Sequence, residues 1–160
     1  MKQSGFTLIE VLVTMFVLAV GILGAGSLQM VGFQSHQDAY FRTQAMYLAG
    51  DIVDRMRANP DGVDNTTAFD AVDTTAVIAT APSCKAAIGG CTSIQMAQVD
   101  IAEWAESFTV IPAVLPASSA TVTRDAATNN FTITINWQER EWSGNSRNSS
   151  AQSYNLIVTL

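Results

Sequence analysis

The stretch Gly5-Phe6-Thr7-Leu8-Ile9-Glu10 opens an apolar run that carries no further charge until Asp38. The uncharged part of this run exceeds the roughly 20 residues that a membrane-spanning helix needs. An acidic side chain at the centre of a bilayer costs about 3 kcal/mol on insertion scales, and such groups are usually retained for a partner. Glu10 is therefore the first candidate functional residue.

The flanks of the apolar run predict the direction in which it crosses a membrane. Lys2 and the terminal amine lie on its short side with no balancing acid. The positive-inside tendency places this side in the cytoplasm and everything after Val31 outside. An ordinary secretory signal peptide has a shorter apolar core and then a small-residue cleavage site. This run continues into an amphipathic pattern instead, so we expect a retained span of about residues 6–33.

Apolar residues recur at helical spacing beyond the uncharged run, and Asp51 and Arg55 stand one turn apart. The apolar positions here are Ala45, Met46, Ala49, Ile52, Val53 and Met56. We predict a single helix over residues 6–58, ended by Asn59-Pro60 because the residue before a proline avoids the helical region. Such a helix is about 80 Å long. Its outer half should therefore pack on the rest of the chain.

Four glycines, Gly21, Gly24, Gly26 and Gly32, lie inside this predicted helix. In water each costs up to about 1 kcal/mol relative to alanine. One interpretation is close helix–helix approach in lipid through small residues. The other is a soft stretch that bends or locally melts on assembly, since glycine is among the recognised causes of helix kinks.

The two cysteines, Cys84 and Cys91, flank a stretch containing Gly89-Gly90, which can turn the chain back on itself. The pattern favours a small disulfide loop and an oxidising compartment. A metal site would need more ligands than this neighbourhood offers, because the only histidine, His36, lies in the N-terminal segment. No metal or other cofactor is expected.

The charge balance argues against nucleic-acid binding. The chain has eight Lys and Arg against fourteen Asp and Glu, a formal net charge of −6, and no basic patch of the kind that nucleic-acid binding needs. The sequence also lacks a Gly-x-Ser-x-Gly motif, a phosphate-cradling loop and a cysteine beside a base. It therefore favours a non-enzymatic role.

A second helix is predicted after Cys91. Thr92 and Gln95 stand at the spacing of a capping box. Its apolar face consists of Ala97, Ile101, Trp104, Ala105 and Phe108. We expect this face to bury Trp104 in a core rather than to present it to a ligand.

Three stretches have the character of strands: residues 121–124, 131–137 and 154–160. In the second, Phe131, Ile133, Ile135 and Trp137 alternate with polar residues. An antiparallel sheet with one apolar face follows, and the outer half of the long helix is its obvious target. We predict an α+β fold, a long N-terminal helix packed on a small antiparallel sheet with one extra short helix.

Two stretches are predicted to be connections at the surface. Residues 60–82 contain Asp61, Asp64, Asp70 and Asp73, whose spacing departs from a dedicated calcium loop, although a calcium site stays an alternative. Residues 141–153, rich in Ser and Asn, should be a mobile loop. Trp142 stands at its start, and a core position and a subunit contact both remain open for it.

The N-terminal motif resembles the class III signal of type IV pilins and pseudopilins. In that family a short basic leader ending in glycine is removed by prepilin peptidase, and the next residue is N-methylated. The matching positions are residues 1–5 as leader, Gly5 and Phe6 as the cleavage site, Phe6 as the methylated terminus and Glu10 as the family's glutamate. The resemblance implies that Glu10 pairs with the terminal ammonium of a neighbouring subunit. Residues 6–58 would then be the long helix and residues 59–160 a periplasmic head.

Further features are similar to the PilV-type minor pilins, also called type IV pilus modification proteins: Val20-Gly21-Ile22-Leu23-Gly24, the helix end Arg55-Met56-Arg57-Ala58-Asn59-Pro60, and the order of features from Cys91 to Trp137. This resemblance implies a subunit at or near the tip of a type IV pilus that helps start assembly, in a filament of the twitching-motility type. Implied partners are the major pilin, other minor pilins, a tip adhesin, the inner-membrane assembly platform and prepilin peptidase.

Two alternatives remain at this stage. A minor pseudopilin of type II secretion shares the N-terminal motif. A signal-anchored periplasmic binding protein would keep the anchor but stay in the inner membrane.

Overall fold

The computed structural model describes residues 7–76, 80–86, 88–109, 114–143 and 146–160. The elements are, in chain order, α1 (Leu8–Ala58), α2 (Pro60–Asp64), β1 (Ala71–Asp73), α3 (Ser93–Thr109), β2 (Ser119–Arg124), β3 (Asn130–Ser143) and β4 (Ser146–Thr159). The chain divides into an N-terminal unit, Met1–Tyr40, and a C-terminal unit, Phe41–Leu160. Helix α1 begins in the first unit and ends in the second.

The long helix ends where the sequence predicts. Helix α1 is 51 residues long and stops at Ala58, one residue before the Asn59-Pro60 pair. It is helical at all four glycines of its apolar half. The amino-terminal limit of the prediction, Phe6, lies outside the described residues.

The outer half of α1 provides one side of the core of the C-terminal unit. Its buried residues are Ala45, Leu48, Ala49, Ile52, Val53 and Met56. Their spacing of three and four residues places them in one stripe along the helix. The prediction for Met46 was wrong, because its side chain is 52% exposed. Met46 lies about 100° around the helix from Ala45, at the edge of the stripe.

A four-stranded antiparallel sheet with the order β1-β2-β3-β4 faces this stripe. The register sets Val122 of β2 opposite Ile133 of β3, and Ile133 opposite Leu156 of β4. The predicted alternation in β3 is confirmed, because Phe131, Ile133, Ile135 and Trp137 are all buried. One face of the sheet and the stripe on α1 enclose a single core.

Helix α3 completes this core and starts at the predicted capping box. The Thr92 N–H donates to Gln95 Oε1 at 3.0 Å, and the Gln95 N–H donates to Thr92 Oγ1 at 3.4 Å. The five residues of its predicted apolar face are all buried. The α+β fold predicted from the sequence is thus confirmed.

The connection predicted over residues 60–82 contains regular structure. Asn59 caps α2 by accepting a hydrogen bond from the Gly62 N–H at 3.2 Å, and its Nδ2 donates to the Ser93 carbonyl at 2.7 Å. Strand β1 then pairs with β2, with Val72 opposite Val122. The prediction of a plain surface loop was therefore wrong for α2 and β1.

The prediction of a mobile loop over residues 141–153 was also wrong. Strand β3 runs to Ser143 and β4 begins at Ser146, so that most of this stretch forms a β-hairpin. The pairing continues past the apolar residues, with Gln138 opposite Ala151 and Trp142 opposite Arg147. Hydrogen bonds between neighbouring strands extend the ladder through residues that have low strand propensity on their own.

Candidate functional site

The N-terminal unit presents an apolar surface that nothing in the described chain covers. We call residues 8–33 the N-terminal apolar surface. Within it, Leu8 is 91% exposed and Leu23 75% exposed. Helix α1 contains a window of mean hydropathy 2.5, none of it buried, and by length and composition it is able to cross a membrane. Because exposing so much apolar surface to water is unfavourable, lipid or other protein chains must cover it.

Glu10 is the single acidic residue of this surface, in the first turn of α1. The turn is closed by the Glu10 N–H, which donates to the Thr7 carbonyl at 3.1 Å. A carboxylate near a helix N-terminus interacts favourably with the helix dipole. In the described part of the chain no basic side chain forms an ion pair with it. Glu10 is thus exposed and available to a group from another molecule.

The four glycines of α1 leave open positions on the same surface. Apart from the adjoining backbone of α1 itself, a Cβ atom added at Gly21, Gly24, Gly26 or Gly32 would meet no described atom within 4 Å. No packing within the described chain therefore requires glycine at these positions. The close-approach and soft-helix interpretations both remain predictions about assembly.

The leader cleavage site falls outside the described residues. Gly5 and Phe6 both belong to the segment that precedes Thr7, where the description of the chain begins. Cleavage between them and methylation of Phe6 therefore stay predictions from the sequence.

A disulfide joins Cys84 and Cys91, whose Cα atoms are 5.0 Å apart. Gly89 and Gly90 both have positive φ, 105° and 72°, a conformation that glycine adopts without a steric penalty. The sequence pattern predicted this pairing. Lys85, inside the loop, forms an ion pair with Glu103 of α3, so the loop is held against that helix.

Loss of this disulfide should destabilise the C-terminal unit. We expect Cys84→Ser to lower the free energy of unfolding by about 2–3 kcal/mol, because a short closed loop restricts the unfolded chain by roughly that amount. Urea unfolding followed by pulse proteolysis of the detergent-solubilised chain would measure the change. The double variant Cys84→Ser with Cys91→Ser controls for the free thiol. Finding both thiols of the natural protein free in periplasmic material would contradict the prediction.

An ion-pair network links α1, α3 and the disulfide loop. We call Asp51, Arg55, Lys85, Asp100 and Glu103 the Arg55 network. Arg55 Nη1 lies 3.1 Å from Glu103 Oε2 and 3.3 Å from Asp100 Oδ1, and Arg55 Nε lies 3.1 Å from Asp51 Oδ2. The network contains the Asp51–Arg55 pair that the sequence predicts, and adds two carboxylates from α3.

The two carboxylates of α3 respond to this network in opposite directions. Burial raises the pKa of Asp100, and the attraction of Arg55 offsets this only in part. The hydrogen bond from Lys85, followed by the one from Arg55, lowers the pKa of Glu103. At Arg55 burial opposes the charge, but the acidic partners prevail and raise its pKa. The signs differ because Arg55 shares its charge among three carboxylates, and the Asp100 side chain is only 13% exposed.

These shifts predict a contrast between two variants. A lowered folded pKa stabilises the fold above the unfolded pKa of the group, and this contribution is lost as pH falls through the folded value. Glu103→Gln should therefore cost on the order of 0.5–1 kcal/mol at pH 7, the range for a partly exposed pair, and much less at pH 3. The ionised carboxylate of Asp100 contributes to stability with the opposite sign. Its pKa is raised, so its charge is less favourable in the folded state than in the unfolded chain. Asp100→Asn should hence destabilise less than Glu103→Gln.

Urea midpoints of both variants at pH 7 and pH 3 measure this contrast. Glu106→Gln, on an exposed position of the same helix, is the matched control. A larger loss at pH 7 for Asp100→Asn than for Glu103→Gln would contradict the assignment.

Two of the three tryptophans lie in the core, and the side chain of the third is not described. Trp104 is fully buried and Trp137 is 2% exposed, as predicted. The Trp142 side chain lies outside the described residues. Glu139 was not predicted from the sequence; it is 5% exposed and accepts a hydrogen bond from Trp137 Nε1 at 2.9 Å. Its position, two residues after Trp137 on the inward face of β3, was the available signal.

No metal centre was found among the described residues. Within them, no group of three or more His, Cys, Asp or Glu side chains is placed to hold a metal ion. Asp70, one of the candidate calcium ligands, instead pairs with Arg124 at 3.4 Å. Asp73 accepts hydrogen bonds from the Thr75 hydroxyl and then from the Thr75 backbone N–H, and both lower the pKa of its carboxyl group.

The architecture is pilin-like, because a long apolar helix packs its outer half on a small antiparallel sheet. The chain matches the family model of type IV pilin Tt1218 over residues 27–102 and the model of the prokaryotic N-terminal methylation motif over residues 1–26. These matches support a type IV pilin. No curated protein and no solved structure matches the chain significantly.

Proposed function

We propose that the chain is a PilV-type minor pilin, incorporated at or near the tip of a type IV pilus, where it helps start assembly and counteracts retraction. The observation that supports this most directly is the methylation motif joined to an apolar helix that the described chain leaves uncovered. In a filament, such helices cover one another. The role is structural and needs no catalytic group.

Processing is the first step of the proposed mechanism. Prepilin peptidase cuts after Gly5 on the cytoplasmic side of the inner membrane, and Phe6 becomes the N-methylated terminus. Cleavage is needed because the Phe6 amine does not exist as a charged group before residues 1–5 are removed. The new cation and Glu10 are then four residues apart in one chain.

Glu10 sets the register of the subunit in the second step. Its carboxylate pairs with the terminal ammonium of a neighbouring subunit as the N-terminal apolar surfaces pack together. Because the surroundings are apolar, the attraction between these charges is far less screened than in water. The exposed position of Glu10 in the first turn of α1 supports this role.

Location and partners follow from the same mechanism. The chain is first a single-pass inner-membrane protein with its N-terminus in the cytoplasm and residues 59–160 in the periplasm, and it then enters a pilus at the cell surface. Its neighbours are the major pilin and other minor pilins, with a tip adhesin as a further partner. The inner-membrane assembly platform and a cytoplasmic motor ATPase drive its incorporation.

Intact-mass analysis tests this proposal. The protein is recovered from sheared surface filaments and from membranes of cells with and without prepilin peptidase. A chain that starts at N-methylated Phe6 in the filament fraction is the expected result. Processed protein confined to the membrane would replace the proposal by a minor pseudopilin of type II secretion, and unprocessed protein would leave a membrane-anchored module.

A further inference from the structure

Strand β4 forms one edge of the sheet, and it is long. It contains 14 residues and pairs on one side with β3. No strand in the described ranges pairs with its other side. The opposite edge, β1, contains only three residues. A long edge strand leaves a row of backbone N–H and C=O groups that can hydrogen bond to another extended chain.

The edge lacks the features with which sheet proteins usually block such pairing. Those features are charged side chains, prolines, bulges and short edge strands. In β4 there is no proline, and no charged residue follows Arg147. The register with β3 runs without interruption from Asn130 opposite Thr159 to Ser143 opposite Ser146, so no bulge turns the edge away. This edge is therefore open to pairing along residues 153–159.

The apolar face of β4 indicates what the docked strand should look like. Tyr154, Leu156 and Val158 are only partly buried against the core. Their direct neighbours on β3, namely Ile135, Ile133 and Phe131, are 0–1% exposed. The core is thus incompletely covered along this edge. A further strand with apolar residues at every second position would cover the apolar side chains of β4, in the same way as β4 covers the apolar side chains of β3.

A second copy of the chain fits this edge less well than a different subunit. Two copies of β4 paired antiparallel are related by a two-fold axis perpendicular to the sheet. Such an axis reverses the direction of residues 41–58 of α1 in one copy relative to the other. Subunits that leave one membrane side by side run in the same direction.

We propose that the β4 edge accepts an extended strand from a different protein subunit. The strand is uncharged opposite residues 153–159 and carries apolar residues at every second position. Main-chain hydrogen bonds provide affinity, and the partly buried row of β4 selects the alternating pattern. The inference does not depend on leader processing or on Glu10, so its failure and that of the proposed function are distinguishable.

A peptide with the sequence of β3 residues 130–137 is a suitable probe, since it is uncharged and has apolar residues at every second position. Its binding to the full-length chain in lipid nanodiscs is measured by fluorescence anisotropy. Two matched peptides carry backbone N-methyl groups on alternate residues. The first peptide is methylated on the N–H groups of one edge, and the second on the N–H groups of the other edge, so that each peptide keeps hydrogen-bond donors on one edge only. We expect one set to abolish binding and the other to leave it intact, because only one edge of the peptide docks.

The chain offers matched variants for the same measurement. Asn155 on β4 and Thr123 on β2 are both exposed. We expect Asn155→Lys to weaken peptide binding on the order of tenfold, equivalent to about 1.4 kcal/mol, and Thr123→Lys to leave it unchanged. Residue-resolved hydrogen exchange should show new protection at alternate amides of β4.

Three results would overturn the proposal. The first is absence of peptide binding, and the second is equal binding of both N-methylated peptides, which would indicate partition into lipid. The third is concentration-dependent protection of β4 amides without peptide, which would assign the edge to a second copy of the chain.

Discussion

Replacing Glu10 by alanine or valine should leave leader processing intact and sharply reduce the amount of the protein in pili. The variant loses the carboxylate that pairs with the neighbouring ammonium. For two unit charges about 4 Å apart, this attraction is on the order of 4 kcal/mol at an effective dielectric constant of 20. Even a third of that value corresponds to about a tenfold change in an equilibrium. We therefore expect at least a tenfold lower ratio of filament to membrane protein.

Anchoring and folding should not account for this loss. Removing an acidic side chain from an apolar segment makes membrane insertion more favourable, so the level in the membrane should be unchanged or higher. Glu10 also lies outside the C-terminal unit, Phe41–Leu160. The urea midpoint of that unit should hence equal that of the natural protein.

The measurement is quantitative immunoblotting of the sheared and membrane fractions, with intact mass to verify cleavage. Glu10→Gln keeps the shape of the side chain without its charge and should behave like Glu10→Ala. Glu10→Asp keeps the charge and should retain part of the incorporation. Normal levels of Glu10→Ala in sheared filaments would contradict the role of this residue.

The sequence predicts best those features whose cause is local. The end of α1 depends on the adjacent Asn59-Pro60, the start of α3 on Thr92 and Gln95, and the buried face of β3 on strict alternation. Each is decided within a few neighbouring residues. The N-terminal motif is local as well, which is why Glu10 could be singled out, although its role stays a proposal.

Features that depend on distant partners were not predictable in the same way. Strand β1 is three residues long and exists because β2, some fifty positions later in the chain, pairs with it. The Arg55 network joins residues that are 45 and 48 positions apart. The distal part of the β3–β4 hairpin consists largely of Ser, Asn, Gln and charged residues, whose composition suggests a loop, and only the neighbouring strand holds them extended.

The second large effect concerns Trp104, where α3 meets the outer half of α1. Its side chain is fully buried, and its Nε1 donates to the Leu48 carbonyl at 2.8 Å. Its ring also packs edge-on against Phe108, with the centroids 5.1 Å apart. We expect Trp104→Ala to lower the free energy of unfolding by about 3–5 kcal/mol, because it removes a large buried side chain and leaves a cavity.

This loss is large beside the 5–15 kcal/mol that typically separates folded from unfolded domains. Trp104→Phe keeps most of the apolar contact but removes the hydrogen bond to α1, so its loss should be intermediate. Glu106→Ala, at an exposed position of α3, is the matched control and should have little effect. Urea midpoints by pulse proteolysis measure all three variants without relying on tryptophan fluorescence.

The Trp104 variants also separate folding from assembly. Because Trp104→Ala unfolds the C-terminal unit more often, its membrane level should fall through proteolysis, whereas Glu10→Ala should lower only the filament level. The two variants are thus expected to differ in the membrane fraction, which Trp104→Ala depletes and Glu10→Ala leaves at its natural level or higher. If Trp104→Ala kept the natural urea midpoint, the conclusion that Trp104 stabilises the packing of α3 on α1 would be wrong. If both variants depleted the membrane fraction alike, Glu10 would be acting on stability or insertion rather than on the contact between subunits.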